Sequence, residues 1–118
     1  MRYTIAVLIA FCFCACDIDS LLDEEAEFVI ISRQTGMTTY DTPTMTLTVK
    51  NVGSAPGYNL SCDIQVKKGN TIIGSGWAYF AGGGDIDPGE QAQDEAIFRG
   101  LTSLANCELS YKLNWLEY

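Results

Sequence analysis

The 118 residues are enough for one domain and not two, and a composition of 47% hydrophobic against 19% charged residues is too apolar for a disordered chain. Acids outnumber bases 15 to 7, a net charge of −8, which argues against nucleic acid and anionic lipid head groups as partners, since both demand a basic surface. There is no His, which removes the commonest general base and the commonest metal ligand.

Arg2 places one positive charge at the start, Tyr3 to Ala15 is almost wholly apolar, and Ala15 is a small residue just before Cys16. Charge, apolar core and small-residue exit are the three parts of a secretory signal, here residues 1–15, expected as a helix. The run is too short for a comfortable transmembrane helix, which needs about 20 residues. A buried core helix fits poorly, because the run has no polar face and no cap. Phe13-Cys14-Ala15-Cys16 resembles the lipobox of bacterial lipoproteins, with departures at Phe13, where an aliphatic residue is usual, and at Cys14. The resemblance implies that Cys16 is acylated and becomes the new N-terminus, with several acyl chains holding the protein on the membrane. It also implies the bacterial outer membrane as the location.

Residues 16–27 then form an acidic tether, with six acids and no base in Asp17-Ile18-Asp19-Ser20-Leu21-Leu22-Asp23-Glu24-Glu25-Ala26-Glu27. Self-repulsion would extend such a segment. The same run resembles the surface-export signal of Bacteroidetes lipoproteins, which would put the domain on the cell surface, and Asp19-Ser20-Leu21 resembles the O-glycosylation motif of that phylum. A plain solvated linker explains the composition equally.

Residues 28–118 show short alternating or β-branched runs separated by Gly, Pro, Asn and Asp, with no sustained helical period, so an all-β domain is expected. Phe28-Val29-Ile30-Ile31-Ser32 reads as a first strand and Arg33 to Pro43 as a long connection. Met45-Thr46-Leu47-Thr48-Val49-Lys50-Asn51 alternates with Met45, Leu47 and Val49 inward, and Val52 to Gly57 turns the chain. Leu60 to Lys67 alternates with Leu60, Cys62, Ile64 and Val66 inward. Lys68-Gly69-Asn70 is a hairpin turn, Thr71 to Phe80 the returning strand, and Gly82 to Gly89 a loop. Gln91 to Arg99 is a strand with Ala96 and Phe98 inward. Cys107 to Trp115 closes the domain with Cys107, Leu109, Tyr111, Leu113 and Trp115 on one face. Six to seven short antiparallel strands at this spacing argue for a two-sheet sandwich. Cys62 and Cys107 both fall on inward faces, and in an oxidising compartment a disulfide between them is expected, two buried free thiols being the alternative.

Leu47-Thr48-Val49-Lys50-Asn51-Val52-Gly53-Ser54-Ala55 resembles the V-x-N-x-G strand and turn of the CARDB and FxLYD domains. Asp87-Pro88-Gly89-Glu90 followed by Ala96-Ile97-Phe98 resembles their L-x-P-G-E…F stretch, with Ile86 in place of Leu. The resemblance covers Met45 to about Phe98 and lacks the FxLYD signature itself. It implies an immunoglobulin-like β-sandwich in an exported protein, with an adhesion or interaction role.

No catalytic constellation stands out: no G-x-S-x-G, no P-loop, no Cys-x-x-Cys. Asp85-Ile86-Asp87-Pro88-Gly89-Glu90 has the alternating acids of a calcium loop, but lacks the further ligands, and a Pro-Gly turn explains it; no metal or cofactor is expected. Trp77 and Tyr79 share one strand face, opposite Phe80, and are the best candidates for ligand contact, since Gly74 and Gly76 could open a groove beside them. The expected role is a non-catalytic envelope module held to the membrane by lipid. Its partner would be an envelope protein or, through Trp77 and Tyr79, a glycan, with a small carboxylate-dependent hydrolase as the remaining option.

Overall fold

The computed structural model describes residues 24–118. The signal segment, Cys16 and most of the acidic stretch lie outside the described residues. Six strands follow: β1 (Phe28–Met37), β2 (Pro43–Asn51), β3 (Tyr58–Lys68), β4 (Thr71–Tyr79), β5 (Gln91–Ile97) and β6 (Glu108–Leu116), with a 3-10 turn at Phe80–Gly83. They make two three-stranded sheets, β1-β2-β5 and β4-β3-β6, antiparallel throughout. The domain is therefore all-β, with the two-sheet arrangement of a sandwich.

The centre strand of each sheet carries the clean alternation. Met45, Leu47 and Val49 of β2 and Leu60, Cys62, Ile64 and Val66 of β3 are buried in one cluster with Phe28, Ala78, Phe80, Ala96, Phe98 and Trp115. Each large apolar side chain moved there from water contributes about 1.5–3 kcal/mol. Ala96 and Phe98 point inward as their alternation requires, and Trp115 meets Phe28 edge-on, ring centroids 5.0 Å apart. The β3–β4 hairpin closes with Lys68 opposite Thr71, and Gly69 at φ 65° takes the positive angle that a two-residue turn demands.

Two expectations need correction, and a third is refined. The connection expected from Arg33 to Pro43 is mostly strand: 33–37 pairs with β2 down to Met37 opposite Pro43. That half of β1 is an exposed edge, so neither alternation nor apolar residues announce it. Next, Cys62 and Cys107 are free thiols. Both do belong to adjacent chain segments, but the register sets Cys62 opposite Leu113, six residues along from Cys107. That is about 20 Å at strand rise, against a Cα separation of about 4.4–6.8 Å for a disulfide. Lastly, Gly74 and Gly76 face the core: a Cβ on Gly76 would meet Phe98 at 2.7 Å and one on Gly74 would meet Leu101 at 2.9 Å. They let β4 pack closely against Phe98 and Leu101, while their backbones line the open trough on the outer face.

The end of the acidic stretch is docked on the body. The Glu25 carbonyl accepts from the amides of Ser54 (2.8 Å) and Ala55 (3.2 Å), the Glu27 carbonyl from Val52 (2.7 Å), and Ala26 is buried. Gly53 makes room for this, since a Cβ there would lie 2.3 Å from the Glu25 carbonyl oxygen. Fully buried Asn51 organises the junction. Its Oδ1 accepts from the amides of Glu27 (3.2 Å) and Gly53 (2.9 Å), and its Nδ2 donates to the carbonyls of Ala55 and Ile86, both at 2.9 Å. Its backbone meets the Pro-Gly turn, donating to Glu90 and accepting from Gly89. The two stretches singled out in the sequence thus form one structural joint.

Candidate functional site

Pairing register converts the polar half of the alternation into a surface. Opposed residues of an antiparallel pair share a face, so the outer face of β6-β3-β4 carries the row Lys112–Asp63–Trp77 and, next to it, the row Ser110–Gln65–Ser75. A third row, Asn114–Ser61–Tyr79, lies beyond, with Asn114 donating to Asp63 at 3.3 Å. Glu95, Ile97 and Arg99, at and just past the end of β5, add a wall. The result is an open trough of about 1020 Å³ lined by the first two rows, by this wall and by the backbones of Gly74 and Gly76.

Trp77 stands at this trough, 55% exposed, where an indole would normally be covered. It stacks on Tyr79 with centroids 5.3 Å apart and planes 13° apart. Tyr79 is fixed at both ends: its amide donates to the Asp94 carboxylate (2.8 Å) and its hydroxyl to Asn59 (2.8 Å). Trp77 is therefore held by a neighbour that cannot swing away. Phe80 is buried on the opposite face, as alternation requires.

The lining charges balance. Asp63 and Glu95 are matched by Lys112 and Arg99 in a chain of net charge −8, so the trough is locally far less negative than the protein. It offers donors, acceptors and one large aromatic face. Its two carboxylates are exposed, unlike the desolvated acid of a glycosidase pair.

The remaining candidates lie elsewhere. Cys62 is buried in the core, where burial pushes its thiol up to about 11, partly offset by its contact with the Lys112 backbone. Cys107 is half-buried near the start of β6. In the suspected calcium loop the Glu90 carboxylate accepts from the Asp87 amide at 2.7 Å, the bond of a self-closed turn. Among the described residues no group of three His, Cys, Asp or Glu could hold a metal ion. Asp63, Gln65, Glu95, Arg99, Ser110 and Lys112 were not singled out in the sequence. Their only signal there is that they are the polar members of alternating strands. No protein family model, no curated protein and no solved structure matches this chain.

Proposed function

We propose that this chain is an exported bacterial lipoprotein, anchored in the outer membrane through acylated Cys16, whose immunoglobulin-like body is a non-catalytic binding module. The trough beside Trp77 takes a neutral glycan. The observation that carries the ligand class is the exposed, braced indole of Trp77 beside three rows of hydrogen-bonding side chains. Sugar rings present apolar C–H faces to aromatic rings and need donors and acceptors together around their hydroxyls, and this surface supplies both. A protein partner, the first expectation from the sequence, has support from the open edges of β1 and β6, the latter shared with the trough through Ser110 and Lys112.

Titration of the full chain with a panel of neutral polysaccharides tests the ligand. Trp77→Ala should weaken binding by at least about tenfold, the loss of a central aromatic contact, with an unchanged melting temperature because the indole is exposed. Equal affinity of the variant, or no binding across the panel, would sink the glycan reading. The anchor is tested by metabolic labelling with a radioactive fatty acid, which should mark the parent and not Cys16→Ser. Labelling of the variant at the parent level would remove the lipoprotein assignment.

A further inference from the structure

The two sheets leave four edges, and two of them cover one another. β4 and β5 lie against one another, linked by the Tyr79 amide and the Asp94 carboxylate. β1 is bulged between Ile30 and Ser32 and then runs as an exposed edge from Ser32 to Met37, with Arg33 over the Tyr111 ring, 5.2 Å from the centroid. Bulges and covered edges are the usual defences against strand addition. β6 is the other open edge: it pairs with β3 in unbroken register from Asn114 to Glu108, and among the described residues no strand lies on its other side. Along its inner face Leu109, Tyr111 and Leu113 are only half-buried.

The sequence of this edge is complementary to itself. In a two-fold antiparallel pair, inward residues must oppose inward residues, so the axis passes through a residue and not between two. Centred on Ser110, the pairing sets Glu108 against Lys112 twice on the outer face and Leu109 against Tyr111 twice on the inner face. Moving the centre to Leu109 or Tyr111 leaves both charges without an opposite, and moving it to Lys112 opposes lysine to lysine. Lysine on an edge strand ordinarily repels a second copy. Here the Glu108 of that copy continues the charge row that Lys112 already forms with Asp63.

We propose that a second copy of this chain adds antiparallel along β6 in the register centred on Ser110, making one continuous sheet of six strands from the two β4-β3-β6 sheets. The half-buried inner row is covered by the addition, and the two Trp77 surfaces come to lie on the same face of the joined sheet. The inference stands whether or not the trough binds sugar.

Cysteine cross-linking in membranes of cells making the full chain tests it. In Ser110→Cys the two thiols lie on the axis, with Cβ atoms about 5 Å apart, and mild oxidation should give a reducible dimer well above the parent background. Asn114→Cys, displaced along the strand, should stay at background. Adding Lys112→Glu to Ser110→Cys opposes like charges twice and should cut dimer yield about tenfold or more. Adding Glu108→Lys as well restores opposite charges and should restore the dimer. No dimer from Ser110→Cys, a dimer equally strong from Asn114→Cys, or a yield indifferent to charge reversal each overturns the proposal.

Discussion

At the scale of single residues, Asn51 shows why a short turn motif is worth more than its composition suggests. A buried amide needs all its donors and acceptors met, and Asn51 has four partners drawn from three separate segments. Ala at this position leaves the Glu27 and Gly53 amides and the Ala55 and Ile86 carbonyls to find water at a partly closed joint. Asn51→Ala should therefore cost about 3 kcal/mol or more, near the upper end for a polar truncation, in urea unfolding of the protein. Asn51→Asp keeps the two acceptor contacts and loses both donations, so its midpoint should fall between those of the parent and the alanine variant. A loss for alanine under about 1 kcal/mol would mean that solvent already serves these groups. The motif announced a turn in the sequence; that its Asn is the hub was not readable, because two of the partners, Glu27 and Ile86, are contributed by segments with no fixed spacing from it.

At the scale of elements, legibility followed burial. β2 and β3 are centre strands with one face on the core, and their period-two pattern fixed which residues point inward. The outer half of β1 has no such face, so Arg33 to Gly36 carried only polar and turn-like residues and, with Met37, read as part of a connection. β4 failed in the opposite way. Its inward positions are Gly74, Gly76 and Ala78, small because Phe98 and Leu101 occupy the space, so the apolar half of its pattern is supplied by another part of the chain. The cysteines mark the limit of pattern reading. Alternation assigns a face to each residue but says nothing of its position along the partner strand, and six residues of register separate a disulfide from two free thiols. The trough was hidden for the same reason. Lys112, Asp63 and Trp77 are scattered in sequence, and only the pairing of β6, β3 and β4 sets them in one row.

At the scale of the whole molecule, the docked acidic residues move the start of the folded unit. Composition alone draws the boundary at Phe28, where charge gives way to apolar residues. The structure extends the body to Glu25, through carbonyl acceptors that any sequence could supply, and the sequence signal is instead in Gly53, the glycine that leaves room for them. A fragment of residues 28–118 lacks the Glu25 and Glu27 carbonyls for the amides of Val52, Ser54 and Ala55. It also lacks Ala26, which packs near Phe28 in the core. Three hydrogen bonds at about 0.5–1.5 kcal/mol each, with a little apolar burial, set the deficit at about 2–4 kcal/mol relative to residues 24–118. Urea unfolding of the two fragments measures it directly, and equal midpoints would return the boundary to Phe28. The docking bears on the lipid anchor proposed at Cys16. It fixes where the tether leaves the body, at the turn between β2 and β3, with the β3–β4 hairpin at the far end of the same sheet. From Cys16, the seven residues 17–23 can span at most about 25 Å before the chain reaches the body. Were Cys16 acylated as proposed, a tether held at that end would turn the β2–β3 turn toward the membrane and leave the trough opening sideways along the bilayer.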